Sequence, residues 1–351
     1  MLDKSQSQSV DPGAVAIQAG GDVNITKVGL SYSEVRDVAL DVFRSTFYQL
    51  AGVAADTASQ RAKEITEDFL SKLEKENPAG LEKANDPDFQ YALFTAQREY
   101  ARCGDKELEA LLVDLLVDRS KQDQRNILQI VLNESLNTAP KLTEGQLAVL
   151  ALIFLFKYTQ NFGVGNHASF GAYLDAHASP FIPKMSVGPA GFQHMEFTGC
   201  GSPNMMGRSL ESILGEVYQG QFLKGFDHVE LDNRQLSIGA DQNFFIPCLN
   251  DQTKLQVRAN SRELLTKNLD VLAVLKPDRS KIIELFNLNK MSDPEIREKC
   301  IQLRAYMRDL FENWEKSPIQ TSSLTSVGIA IAHANIKRLV GEFANLSIWI
   351  N

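Results

Sequence analysis

The chain has 351 residues, 44% of them hydrophobic, enough for roughly two domains of about 150 residues each and for a real core without a metal or disulfide staple. Its 36 Lys and Arg against 44 Asp and Glu leave a net charge of −8, which argues against a general nucleic-acid or anionic-membrane binder. Cys103, Cys200, Cys248 and Cys300 form no CxxC pair and Met1-Leu2-Asp3-Lys4 opens no apolar signal core, so a reducing cytoplasm is the expected compartment.

Residues 1–13, rich in Ser and Gln and closed by Asp11-Pro12-Gly13, read as a flexible leader with too few apolar side chains to fold alone. From Val15 to Ile25 every odd position is apolar or Gly, the period of a strand with one face to bury. A two-residue Gly20-Gly21 turn would set Ile17 opposite Asn24 and mix the faces, whereas a Gly20-Gly21-Asp22 loop pairs Ala19 with Val23 and Ile17 with Ile25. Whether hairpin or single strand, so small a β element is marginal in water by itself. The missing strands are therefore expected from other copies of the chain. Residues 14–28 become a β assembly segment, with Val15, Ile17, Ala19, Val23 and Ile25 at the interface.

Ser31 and Glu34 offer a capping box, and an apolar helical period then runs from Val35 to Asn77-Pro78 with only Gly52 against it, predicting one long helix. Its stripe near Phe43, Phe47 and Leu50 meets either its own bundle or neighbouring subunits, so these three join the interface candidates. Asp86-Pro87 starts a helix that stops at Cys103-Gly104, and further helical periods cover 108–119 and 124–136. Thr143 and Gln146 cap a helix through Tyr158 whose apolar run, Leu147–Phe156, is about half of the roughly 20 residues a membrane span needs. Residues 31–160 thus read as a helical bundle.

Glycines and prolines punctuate 161–207, predicting long loops with short helices. A helix is expected over 208–218, short strands at 244–246 and 254–257, a capped helix from Ser292 through about Lys316, and a last helix over 324–343. The tail Leu346–Ile350 alternates, as a closing strand or a docked end would. The fold class is mainly α, with a loop-rich, mostly helical half over 161–351.

Chemistry is sparsely marked. His194, Cys200 and Cys248 are the best metal candidate, but their spacing fits no closed zinc motif and a fourth ligand is missing, so buried, inert cysteines are the better reading. The GxG of Asn161–Asn166 completes neither a dinucleotide fingerprint nor a P-loop, and a helix stop explains it. Lys254, Arg258, Arg262, Lys267, Lys276, Arg279 and Lys281 form a basic stretch diluted by acids, as a solvated face is. The small-residue run Gly328, Ala330, Ala332, Ala334 suits close helix packing inside a bundle. No cofactor, metal or catalytic residue is assigned.

Ile17–Ile25, followed by Gly29-Leu30-Ser31-Tyr32-Ser33-Glu34-Val35-Arg36, resembles the opening of an uncharacterised bacterial family of comparable length. The run Gln18–Ile25 also resembles segments at the ends of proteins encoded near bacterial anti-phage systems, and Leu142–Leu147 with the helix after it is loosely similar to part of abortive-infection proteins. The resemblance implies a cytoplasmic role in defence or stress and carries no catalytic residue over. The expectation is a non-enzymatic homo-oligomeric sensor, scaffold or effector whose partner is itself, with no free nucleic acid and no constitutive membrane. The alternatives are a metal-dependent hydrolase with its site in 161–250, where His167, His177, Asp227 and His228 join the candidates above, and a conditional membrane effector using 147–158 and 324–343.

Overall fold

The computed structural model describes residues 31–46, 52–272 and 274–351. The segment 14–28, with Val15, Ile17, Ala19, Val23 and Ile25, lies outside the described residues, as do Phe47 and Leu50.

The described chain is mainly α. Helix α1 (Tyr32–Thr46) opens on the expected box: the Glu34 N–H donates to Ser31 Oγ (3.4 Å) and the Ser31 N–H to Glu34 Oε2 (2.8 Å). The long helix read from Tyr32 to Asn77 is divided into α1 and α2 (Val53–Glu76), the latter preceded by Gly52 at φ +59°. Helix α2 returns along α1, so that Arg36 meets Glu67 at 3.3 Å and Phe43 is buried with Ala58, Ala62 and Ala101. One straight helix would hold Arg36 and Glu67 about 45 Å apart. The apolar period crosses the break because both helices turn their stripes to one core, and α2 begins after a positive-φ backbone that glycine adopts without strain.

Next come α3 (Pro87–Cys103), capped by Asp86 and ended by left-handed Gly104, α4 (Lys106–Ser120), α5 (Ile127–Thr138) and α6 (Glu144–Tyr158), opened by the Thr143–Gln146 box. Beyond them lie α7 (His167–His177), α8 (Pro189–Phe197), strand β1 (Gly201–Pro203), α9 (Leu210–Val217) and α10 (His228–Asn233). Strands β2 (Phe245–Pro247) and β3 (Leu255–Val257) pair antiparallel where strands were expected. Helices α11 (Arg262–Val271), α12 (Lys276–Asn287), α13 (Asp293–Leu303) and α14 (Met307–Glu315) follow, then β4 (Ser322–Leu324), which pairs with β1, and α15 (Ser326–Val340). The helix read from Ser292 to Lys316 is therefore two. At the break Arg304 takes extended backbone (φ −147°), and its guanidinium grips Asp175 of α7 at 2.6–2.8 Å.

Helices α6 and α15 form the centre. Gln146–Phe156 and Gly328–Ile336 are buried without interruption, which is why neither helix shows an amphipathic stripe. Helix α15 packs against α4, α5 and α6, so the last long helix of the chain completes the bundle begun by the first ones. One core accordingly runs from Val35 to Ile350, and residue 160 falls within its span. A second, smaller core gathers Phe226, Phe245, Val257, Leu265, Ile282 and Phe286 around β2, β3, α11 and α12. The carboxyl-terminal tail is a docked end: Leu346 and Ile350 are buried, and Trp349 Nε1 donates to the Tyr158 carbonyl at 2.8 Å. No helix among the described residues is long and apolar enough to cross a membrane.

The small-residue run does the packing expected of it, because a Cβ on Gly328 would overlap the Cys200 carbonyl. Gly328→Ala should cost about 2 kcal/mol of unfolding free energy in urea, the scale of overpacking a closed contact. Gly341→Ala, at a position with nothing near its Cβ but φ +85°, serves as the strain-only comparison.

Candidate functional site

Three helices of the bundle each turn a pair of titratable side chains, one turn apart, toward the same place. Helix α2 supplies Lys72 and Glu76, α4 supplies Asp114 and Asp118 with Lys121 just past its end, and α15 supplies His333 and Lys337. The i, i+4 spacing puts each pair on one helix face. Lys337 is the hub: its Nζ lies 2.8 Å from Glu76, 3.4 Å from Asp118 and 3.6 Å from Asp114. Lys72 reaches Asp114 at 2.7 Å and Glu76 at 3.7 Å, and Lys121 reaches Asp118 at 2.8 Å and Glu76 at 3.5 Å. Three ammonium groups thus face three carboxylates, and the side chain of Asp114 is only 1% exposed.

Beside this network a cleft of about 660 Å³ opens beneath residues 341–347, which leave α15 through Gly341 at φ +85° and pass over it as a strap. Glu76, Asp118, Lys121, His333 and Lys337 form its charged wall, with Leu128 and Leu132 of α5 on the other side. The strap is tied to the floor by His333, whose Nε2 lies 2.7 Å from the Ala344 carbonyl. A carbonyl can only accept, so Nε2 carries the proton and Nδ1 of the neutral ring is a bare acceptor. That Nδ1 is buried and has no hydrogen-bond partner among the described residues, and neither has Asp114 Oδ2. Phe343 stacks on Trp349 with ring planes 20° apart, which holds the strap's middle against the docked tail.

Burial and charge oppose each other across the network. For Asp118 and Glu76 burial is the largest single influence and disfavours ionisation, but Lys337 and its neighbouring lysines together outweigh it and hold both carboxyls below their usual range. For Asp114 burial prevails over Lys72 and Lys337, and its pKa is raised. Burial also lowers His333, keeping the imidazole neutral, while in Lys337 the opposing carboxylates overcome burial and raise the ammonium. What results is a neutralised charge cluster with two unused acceptors at its edge, suited to holding a small polar ligand. It presents no nucleophile paired with a base.

The expected residues lie elsewhere. Phe43 is 2% exposed within its own chain's core. His194 hydrogen-bonds to Gln146, and Cys200 and Cys248 are buried, the latter's thiol donating to the Leu223 carbonyl at 3.3 Å. Burial raises the Cys200 pKa, opposite to what an activated thiolate requires. His167 faces the Gln221 carbonyl and His177 the Tyr173 carbonyl. Among the described residues no group of three or more His, Cys, Asp or Glu is placed to hold a metal ion. The GxG segment leads into α7, where Asn166 caps the helix reciprocally with Ser169. In the basic stretch Lys254 pairs with Asp251 and Arg279 with Asp270. The cluster that the structure does assemble was marked in the sequence by acids in the otherwise Leu-rich helix α4, at Asp114 and Asp118, and by His333 and Lys337 interrupting an alanine run.

The pH dependence follows from the signs of these shifts. Asp118 and Glu76, lowered on folding, contribute stability that is present above their unfolded pKa values of about 4 and lost as pH falls through the folded ones. Lys337, raised, contributes below about pH 10.4 and loses that contribution above it. Asp114 runs the other way, its buried charge costing less as it takes up a proton. Lys337→Met should therefore destabilise by about 3 kcal/mol at pH 7, the cost of leaving buried carboxylates without their partner, and by clearly less at pH 4. Parallel urea titrations at the two pH values measure the difference.

No curated protein and no solved structure matches this chain. A family model with the description “:-like”, which names no activity, matches residues 29–350, from just before the cap of α1 to the docked tail. The chain belongs to the uncharacterised family that this model describes.

Proposed function

We propose that this chain is a non-enzymatic, homo-oligomeric sensor acting in the bacterial cytoplasm in defence against phage. Residues 14–28 assemble the copies, and the cleft under the 341–347 strap receives the trigger. The observation that carries this reading is the coupling of that cleft to the bundle through Lys337. One ammonium bridges carboxylates from α2 and α4, so a polar ligand that competes for it alters the packing of α15, the central helix, and not merely a surface loop. Scaffold and effector roles share the same assembly; the cleft favours the sensor. Its partner is a second copy of itself, and the acidic total disfavours free nucleic acid.

Support for a separate assembly element comes from the extent of the family match. It begins at residue 29 and so leaves the alternating segment outside a body that already closes its own core. Static light scattering of the full chain and of a chain lacking residues 1–28 should give an oligomer and a monomer respectively. Ile17→Asp, which puts a charge on the buried face, should weaken assembly similarly; two monomers, or two equal oligomers, overturn the assembly reading. In cells challenged with phage, expression of the full chain should lower plaquing efficiency, and Lys337→Gln should abolish that protection while leaving the oligomer intact. Protection that survives Lys337→Gln removes the cleft from the mechanism.

A further inference from the structure

Strand β1 keeps an open edge. The bonds from the Thr325 N–H to the Cys200 carbonyl and from the Asn204 N–H to the Thr321 carbonyl set the alternation of the β1–β4 ladder. In that alternation Ser202 faces β4, while the N–H and carbonyl of Gly201 and the carbonyl of Pro203 face away, with no hydrogen-bond partner among the described residues. The outer edge of β4 is taken instead, by the Tyr158 hydroxyl at Leu324 N–H (2.8 Å) and by Lys157 Nζ at the Ser322 carbonyl (2.7 Å). Of the two strands of this sheet, β1 is the one with a free outer edge among the described residues.

The surroundings of that edge are apolar. A pocket of about 230 Å³ is walled by Gly201–Pro203 together with Leu150, Phe192 and Met195. Flanking β1 in the chain, Phe197, Met205 and Met206 are each at least 84% exposed. Scattered exposed apolar residues are ordinary, but three large ones within ten residues, on either side of a free strand edge in the chain, mark a docking surface.

We infer that the open edge of β1 and its apolar pocket receive the alternating segment Val15–Ile25 of a second copy of this chain. The inference rests on the proposed assembly role of residues 14–28 and names the surface they meet. The sequence of the segment offers apolar side chains at every second position, the pattern of strand addition in which main-chain bonds set register and alternate side chains fill pockets. Pro203 offers no N–H, so the added ladder is short, and the affinity falls chiefly to side chains such as Ile17 seated against Phe192 and Met195. A second copy is indicated because only five residues, 26–30, join Ile25 to Ser31, a reach of about 21 Å when extended. Helix α1 packs chiefly on α2 and α3, whereas β1 packs chiefly on β4 and α8.

The test uses the full chain with benzoylphenylalanine in place of Ile17, prepared from equal parts of unlabelled and nitrogen-15-labelled protein, irradiated and mapped by mass spectrometry. Mixed-isotope cross-links to residues 189–206 are expected. Cross-links confined to one isotope, or landing elsewhere, overturn the inference. In parallel, the triple variant Phe197→Ser, Met205→Ser, Met206→Ser alters only exposed side chains and should raise the dissociation constant for assembly at least tenfold by light scattering, with the helical circular dichroism unchanged. If removal of residues 1–28 yields monomers while the triple variant assembles normally, the assembly role of the segment stands and its placement on β1 fails. If the shortened chain still assembles as the full one does, the assembly role itself fails.

Discussion

Burial of α15 on all sides is the constraint from which the rest of the structure follows. A helix enclosed by α4, α5 and α6 has to be thin where it crosses them, and its residues from Gly328 to Ala332 alternate small and aliphatic side chains for that reason. At Gly328 the approach is so close that the Cys200 carbonyl occupies the place of a side chain. The same enclosure carries the chain's last residues back onto the bundle, where Trp349 meets Phe154 edge-on with ring centres 4.9 Å apart.

A helix so enclosed must also satisfy every polar group it brings inside. Asn335 donates to the Leu147 carbonyl at 3.1 Å, stitching α15 to α6, and Lys337 enters a cluster of carboxylates at the helix's last turn, where the helix dipole favours a cation. Lys157 solves the corresponding problem at the end of α6 differently. Burial pulls its ammonium down to about 8, yet its three N–H groups are taken by the carbonyls of Ile319, Gln320 and Ser322 at 2.6–3.0 Å, and this holds β4 in place. Among the buried polar atoms without a partner in the described residues, which also include Glu109 Oε1 of α4 and Tyr173 Oη of α7, His333 Nδ1 and Asp114 Oδ2 both sit at the network bordering the strap cleft. Polar groups left unpaired at a cost of about 1–3 kcal/mol each are not an economy of folding. Their place beside a cleft is what makes that cleft the candidate site.

Local chemistry and tertiary chemistry divide cleanly in this molecule. The caps at Ser31, Asp86, Thr143 and Ser292 were legible because a capping side chain and its backbone partner lie within three residues. Strands β2 and β3 were legible from short apolar runs, and close packing around Gly328 from the small-residue run. The breaks at Gly52 and Arg304 were not, since an apolar period continues through a turn whenever the helices on both sides face one core. Candidate chemistry went astray for a related reason: histidines and cysteines drew attention by type, and the structure gives His167 and His177 a backbone carbonyl, His194 the Gln146 side chain, and Cys200 and Cys248 buried seats.

The sequence by itself determined where the capped helices begin, that the chain is mainly α, and that the apolar run of α6 and the small-residue run of α15 belong inside a bundle, because these properties depend on neighbours within a few residues. Only the tertiary structure decided that α2 folds back on α1, that the last helix sits at the centre of the first bundle, and that Lys72, Glu76, Asp114, Asp118, His333 and Lys337 share one cluster. Those residues are separated by up to 265 positions, from Lys72 to Lys337 (337 minus 72). Each lies in its own sequence as an ordinary charge on a helix face, and only packing, by removing water from between the faces, makes their charges answer to one another.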